Sequence, residues 1–305
     1  MASKEKFGKL PTTHQFAFFY SWWGFKGSSY LWRIAKYLQK TPAGQVLLPN
    51  GISVCNSEND WTAKTIYEGT YERELLKFLM KLKIQDEIYV DIGANIGSTI
   101  QSVKKKNNEI MVYAFEPSAI CLPLLRQNLR ESKNVSIQEC AVSESSGEIE
   151  FFDDENPYHT GLANSRSMNR NATAAKVVTC VSLDEFFETS KLDLIVKIDT
   201  EGHEPKVLSG MKKLIDKGAV KMVIMEYTPQ WMSFEFIHDL NLKIWGHGES
   251  KLYVIQGRGL FRTKLKVSQI SSEALSRIDT QVNIILSKEL PRYMRSKRLG
   301  RNVEL

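Results

Sequence analysis

Apolar residues in this chain fall into short blocks of four to eight, set between longer stretches where they recur every three or four positions. Blocks at 88–91, 110–115, 135–142, 194–198 and 222–226 predict buried strands, because a strand covered on both faces needs no polar alternation. Between them, 97–106, 118–132, 183–189 and 205–217 predict helices, and another is expected after Pro229 up to 240. Pro123 is tolerable because it falls close to the first turn of its helix. Ahead of this alternation, Leu75, Leu76, Phe78, Leu79 and Leu82 mark a helix over 70–82, with charges on its far face. After Gly147, residues 148–152 read as a hairpin excursion, and 176–181 as a further strand. Segments at 242–245, 252–256 and 282–286 close the chain as strands, some of them antiparallel.

Strands alternating with helices imply an α/β fold: a mostly parallel sheet with helices on both faces. Residues 1–69 stand apart from that pattern. They predict an aromatic-rich helix ending near Tyr37 and Leu38, then a hairpin over 47–54 turned at Asn50-Gly51. The expected organisation is therefore an extension over 1–69, the α/β domain over 70–290, and a basic tail over 291–305. The polar stretch 153–175 is a loop long enough to suggest a function.

The first candidate chemistry sits where the first core strand ends, in Val90-Asp91-Ile92-Gly93-Ala94-Asn95-Ile96-Gly97. Glycines between a strand and a helix let the backbone approach a ligand closely. The next strand ends in Glu116-Pro117, and an acid there can accept both hydroxyls of a ribose. The glycine pattern is G-x-x-x-G, without the third glycine that cradles a pyrophosphate. That spacing favours a nucleoside without diphosphate, S-adenosylmethionine foremost, over a nicotinamide dinucleotide. A nicotinamide-dependent oxidoreductase remains the rival enzyme class, and a non-catalytic nucleoside-binding protein the rival outside enzymes.

Polar residues recur at the ends of the later strands too: Asp199, Glu201 and His203 after the fourth, Glu226 at the fifth. Strand alternation puts Lys197 and Asp199 on one side, opposite Val196 and Ile198. A lysine in an apolar strand needs a carboxylate partner, which Asp199 or an acid on a neighbouring strand would supply. The pair is either a structural ion pair or part of a catalytic group. Likewise Asp91 could cap the following helix, Glu204 could favour a helix dipole, and His203 could be a helix-start residue.

Composition adds limits. With 305 residues, 42% hydrophobic and 25% charged, the chain has the make-up of an ordinary globular protein. A net charge of +6, concentrated in the tail, gives no specific nucleic-acid signature. Cys55, Cys121, Cys140 and Cys180 show no metal-ligand or C-x-x-C spacing, which argues for a reducing compartment and a cytoplasmic location. The start is polar, without the pattern of a signal peptide. The aromatic stretch 16–25 is far shorter than a membrane span, so it reads first as a packed N-terminal cap, with weak membrane-surface contact or an acceptor wall as the alternatives.

As a set, 91–97, Phe115-Glu116-Pro117 and Lys197-Ile198-Asp199-Thr200-Glu201-Gly202-His203-Glu204 resemble the FkbM family of S-adenosylmethionine-dependent methyltransferases. Thr70-Tyr71-Glu72, Cys140-Ala141-Val142-Ser143 and Ser182-Leu183-Asp184-Glu185 fit the same pattern, over roughly residues 65–230. One departure is Thr200, where the family more often carries an aliphatic residue. The resemblance implies a Rossmann-like methyltransferase sheet that moves a methyl group to a hydroxyl of a sugar, glycoside or secondary metabolite. It implies that Asp91, Gly93, Ala94, Asn95 and Gly97 form the cofactor loop, that Glu116 and Pro117 meet the ribose, and that Cys140 and Ala141 flank the adenine. Lys197, Asp199, Glu201 and His203 would face the acceptor.

Such a transfer needs a base within reach of the acceptor hydroxyl. His203 has the most suitable ordinary pKa, and Asp199 or Glu201 could serve through burial. If the fourth and fifth strands are neighbours, Asp199 and Glu226 converge, and their oxygens would suit magnesium or manganese. Candidate acceptor walls are Trp22 and Trp23, the loop 158–170, Tyr227 and Trp231. Neither the acceptor nor the oligomeric state follows from the sequence.

Overall fold

The computed structural model describes residues 8–56, 61–152, 176–187, 192–230, 232–233, 235–239, 251–258 and 264–287. The loop 153–175, Trp231, the segment 242–245 and the tail 291–305 lie outside the described residues.

The N-terminal extension comprises β1 (Gly8–Lys9), α1 (Thr12–Trp22), α2 (Ser28–Leu38), β2 (Gly44–Leu47), β3 (Ser53–Asn56) and α3 (Trp61–Tyr67). The single aromatic helix expected here is two, separated by Gly24 and Gly27, whose φ angles of 81° and 82° lie in the left-handed region. The hairpin is present, but its connection is wider than two residues. Leu47 pairs with Ser53, and the loop closes by Leu48 N–H donating to Ile52 O at 2.8 Å. Phe18, Trp32, Val46, Val54, Ile66 and Tyr67 fill a cluster of their own, which runs on to Leu76 and Ile96.

The central unit follows as α4 (Arg73–Leu79), β4 (Ile88–Ile92), α5 (Ser98–Lys104), β5 (Val112–Phe115), α6 (Cys121–Leu129), β6 (Val135–Gln138), β7 (Ala141–Val142), β8 (Gly147–Phe151) and β9 (Lys176–Val181). It continues with α7 (Leu183–Phe186), β10 (Leu194–Ile198), α8 (Glu204–Ser209), α9 (Lys212–Asp216), β11 (Val220–Tyr227), β12 (Lys251–Arg258), β13 (Lys264–Ile270), α10 (Ser272–Ser276) and β14 (Val282–Ser287). The large sheet has the order β13-β12-β14-β11-β10-β4-β5-β6. Strands β11, β10, β4, β5 and β6 are mutually parallel, and β14, β12 and β13 add antiparallel. This is the expected α/β sheet, with apolar side chains buried on both faces: Val90, Val196 and Ile198 on one, Tyr89, Ile195 and Ile224 on the other.

Two differences from the sequence expectation shape the site. The strand expected over 135–142 divides: β6 stays in the large sheet, while β7 pairs with β9 in a small sheet that also holds β8. The chain leaves the large sheet at Glu139 and Cys140. The helix expected over 205–217 also divides, at Gly210, where a Cβ would lie 2.0 Å from Ser143 O. Backbone of α8 and backbone after β7 meet too closely there for any side chain. Finally, β13 and α10 went unread, although Leu265 and Val267 alternate with Lys264 and Lys266 as a half-buried strand requires.

Candidate functional site

Strand order reverses at β4, from which β5 and β6 run one way and β10 and β11 the other. A crevice outside the carboxyl ends of the strands is expected at such a point. One is present, with about 700 Å³ of space counting its open mouth, walled by Gly93, Asn95, Glu116, Pro117, Cys140, Ala141, Phe151, Asp199, Glu201 and His203 among others. Nine of these, all but Phe151, were singled out in the sequence and therefore come together. Asp91, Ala94, Gly97 and Lys197 do not line it.

Each wall has a local cause. Glu116 follows β5, and its carboxylate accepts Asn95 N–H at 2.7 Å and Ser118 N–H at 2.9 Å. Those two donors fix the carboxylate against the turn after β4. Asn95 has a φ of 49°, a left-handed conformation that asparagine tolerates better than most residues. Cys140 and Ala141 reach the crevice because the chain changes sheets between β6 and β7.

The two glycines serve the protein more directly than a ligand. At Gly93 (φ +74°) a Cβ would lie 1.8 Å from Asp199 O, so glycine lets the turns after β4 and β10 touch. At Gly97 (φ +86°) a Cβ would lie 2.9 Å from Leu125 Cδ1, in the packing of α6 behind the turn.

Beneath the crevice lies a line of charge. Asp91 and Lys197 are register partners on adjacent parallel strands, and alternation puts both on the same sheet face. Lys197 Nζ stands 3.2 Å from Asp91 Oδ1 and 3.3 Å from Asp199 Oδ2, and donates to Gly93 O at 2.9 Å. Thr99 Oγ1 also donates to Asp91. Burial alone would push Lys197 down, but Asp199, Asp91 and Glu72 outweigh it and hold the ammonium above its ordinary range. Burial raises the Asp91 carboxyl, an effect partly offset by Lys197 and Thr99. Both ends of this pair are thus fixed under the wall, where they orient Asp199.

Three more carboxylates share the space above. Burial, with the Asp199 charge next in size, pushes Glu201 up to about 8 and Glu226 up to about 9. Glu72 rises to about 7 for the same two reasons. Ligand oxygens of Asp199, Glu201 and Glu226 lie within 4.8 Å of one another. Gln281 donates to Glu226 Oε1, while the buried Glu226 Oε2 has no partner among the described residues. Glu201 (φ 52°) and Glu72 (φ 35°) are two of four non-glycine residues with left-handed backbone among the described residues. Strain of this kind persists only where surrounding structure enforces it.

His203 precedes α8, is 7% exposed, and its Nε2 is 3.0 Å from Ser143 Oγ. The same Ser143 touches the close crossing at Gly210. Glu204 reaches back to accept N–H groups from Thr200 and Gly202 at 2.9 and 3.0 Å, tying down the loop that presents Asp199 and Glu201. Its role is that of a loop brace, beyond a dipole charge.

Sequence reasoning gave no site role to Tyr71, Glu72, Ile149 or Phe151, although Tyr71 and Glu72 stand in a stretch that fits the family pattern. Tyr71, Ile149 and Phe151 line the crevice, and Glu72 accepts a hydrogen bond from Asn283 within the acidic group. Helical spacing absorbed Glu72 into a helix over 70–82, whereas α4 starts at Arg73 and leaves Glu72 turned inward. Trp22 and Trp23, candidate acceptor walls that read first as cap packing, line a separate notch with Lys77, Met80 and Lys81. Tyr227 is buried.

Comparison with known proteins identifies a family for the chain. A family profile described as the methyltransferase FkbM domain matches residues 91–251. A hexuronic acid methyltransferase, AglP, from Haloferax volcanii is 28% identical over 158 residues, covering 51% of this chain and 62% of that protein. The 31-O-demethyl-FK506 methyltransferase FkbM from Streptomyces tacrolimicus is 26% identical over 209 residues, covering 59% of this chain and 79% of that one. The chain thus spans under two thirds of the first relative and about four fifths of the second. Among solved structures, a SAM-dependent methyltransferase from Agrobacterium tumefaciens superposes with a TM-score of 0.40 at 10% identity, covering 82% of this chain and 72% of that one.

Proposed function

This chain belongs to the FkbM methyltransferase family, and from that premise we propose that it binds S-adenosylmethionine and methylates a hydroxyl of a sugar, glycoside or related metabolite. The observation that carries the reading is Glu116, oriented by Asn95 and Ser118 at the strand-order switch, where a ribose diol would be gripped. Residues 70–290 are the unit that performs the reaction. When bound, S-adenosylmethionine supplies an electrophilic methyl group on sulfur.

The rest of the task falls to this chain. Cys140, Ala141 and Phe151 offer an apolar wall to a base, and Tyr71 offers an aromatic face to an acceptor. Much of the acceleration comes from holding acceptor and cofactor in line. The acceptor proton goes to Asp199, since His203 Nε2 is engaged with Ser143 and Glu201, pushed up to about 8, mostly keeps its own proton at neutral pH.

Calorimetry with S-adenosylhomocysteine and with NAD tests this reading. S-adenosylhomocysteine is expected to bind and NAD not to. A Glu116→Ala change should weaken the former roughly 10- to 100-fold, as charged hydrogen bonds to two hydroxyls are lost. NAD binding, or an affinity indifferent to Glu116, would reject the assignment.

Asp199, Glu201 and Glu226 also fit a hard divalent cation, since all three offer oxygen and Glu226 Oε2 has no other partner among the described residues. Magnesium or manganese held there would lower the pKa of an acceptor hydroxyl. The metal-free protein makes a separate prediction. Glu72, Glu201 and Glu226 keep protons when folded that they lose near the ordinary 4.5 when unfolded. Between about 4.5 and 9 the folded state binds more protons, so stability should fall as pH rises through that window. Thermal midpoints in chelator across that range should decline, and added magnesium or manganese should flatten the decline if a cation belongs there. A flat profile in chelator would mean the carboxylates are not protonated.

A further inference from the structure

The helical hairpin at the N-terminus carries a surface unlike the rest of the protein. Seven of the eleven exposed large apolar side chains among the described residues lie between Phe16 and Leu38. Phe16 and Phe19 on α1 and Trp23 at its C-terminal end recur at helical spacing, as do Tyr30, Ile34 and Tyr37 along α2, with Phe16 at 65%, Tyr30 at 68% and Tyr37 at 90% exposure. Their helices are not waiting to fold inward. Trp32 Nε1 donates to Ser21 Oγ at 2.9 Å, His14 Nδ1 meets Tyr67 Oη at 2.6 Å, and Phe18 and Ala35 are buried. Each helix already buries one face in a shared cluster and leaves the other outside.

Charge on this unit has one sign. From residue 8 to residue 56 there are five cations, Lys9, Lys26, Arg33, Lys36 and Lys40, and no Asp or Glu. Among the described residues only Lys36 is paired with an acid from elsewhere, Glu68, whereas Lys26, Arg33 and Lys40 are exposed. The notch beside Trp23 adds Lys77, Lys81 and Lys264. Exposed aromatic rings beside cations, on helices of 11 residues each, suit the boundary between headgroups and acyl chains.

We propose that the outer face of the α1–α2 hairpin docks on an anionic lipid surface. Positive charge complements the phosphate and carboxylate headgroups, and the rings and Ile34 enter the acyl boundary. The same charge disfavours a second copy of this chain as the occupant, because cations would meet cations with no acid to pair them. Nucleic acid would leave Ile34 and Leu38 without a partner. No helix among the described residues is long and apolar enough to cross a membrane, so the contact is peripheral.

Docking would also set the crevice near the lipid. Trp32 Nε1 donates to Glu68 O at 3.1 Å and Arg73 Nη1 to Ser21 O at 2.9 Å, clamping the hairpin to the segment that delivers Tyr71 and Glu72. Lipid docking does not depend on which reaction the crevice performs.

Sedimentation with vesicles tests it, using phosphatidylcholine alone and an equal mixture with phosphatidylserine. The protein should sediment with the mixture, much less with phosphatidylcholine, and less as salt rises. A Phe16→Ser, Tyr30→Ser, Tyr37→Ser variant and a Lys26→Glu, Arg33→Glu variant should each lose about tenfold or more in vesicle affinity. Circular dichroism checks that both fold. If the serine variant does not, the charge reversal on exposed side chains decides alone. Absence of vesicle binding, or binding that ignores both variants, overturns the proposal. So does a dimer, or an oligonucleotide complex, formed through these residues by a protein that ignores vesicles.

Discussion

An Asp199→Asn protein is expected to lose about 10²- to 10⁴-fold in turnover while still binding S-adenosylhomocysteine normally. Asp199 is the meeting point of the site. It lines the crevice, receives Lys197 from below at 3.3 Å, and is the largest charge acting on Glu72, Glu201 and Glu226. Asparagine keeps the shape and removes the charge. Proton uptake from an acceptor, or the hold on a divalent cation, would fail, yet Glu116 and the turn after β4 would be untouched. A second readout separates this role from mere support. Without the Asp199 charge, Glu201 and Glu226 should release their protons at lower pH, so the decline in stability with rising pH should end earlier and be smaller in total. Equal losses of turnover, cofactor affinity and stability would instead mark Asp199 as structural.

Much of this site was legible in the sequence because strand alternation is a local property. Lys197 and Asp199 follow from a period of two, and their need for a nearby acid follows from the cost of burying an ammonium. Asp91 then proves to be the second partner, which only the register of β4 against β10 could decide. Glu116 was legible for the same reason, as an acid ending a strand. Glu72 was not. Its neighbours obey a helical period, and nothing local announces that the chain turns left-handed one residue before Arg73. Nor does local pattern reveal that 135–142 serves two sheets, since Val135 to Val142 is apolar enough for one continuous strand. Gly93 shows the converse case. Its presence was legible and its reason was not, because the atom that excludes a side chain, Asp199 O, lies in the turn after β10, far along the chain.

Lys197→Met should be the most destabilising change at the site, costing roughly 3–5 kcal/mol. Methionine fills nearly the same volume, so the loss would not come from packing. It would come from Asp91, which is 0% exposed and would keep only the Thr99 hydroxyl against its charge, and from Gly93 O, which would lose its donor. Removing one partner of a buried pair leaves the other as an uncompensated charge. Asp91 would then hold its proton to higher pH than in the unaltered protein. Its folded-state pKa already lies above the unfolded value, so the deficit should be smallest in acid and grow as pH rises. Urea unfolding at acid and alkaline pH would show this directly. An added Asp91→Asn change should recover part of the loss, because the orphaned charge is gone, whereas two independent effects would add. If Lys197 instead met the acceptor, turnover would collapse with stability within about 1 kcal/mol of normal. Placement beneath the crevice wall, with all three contacts to Asp91, Asp199 and Gly93 inside the protein, argues for the first outcome.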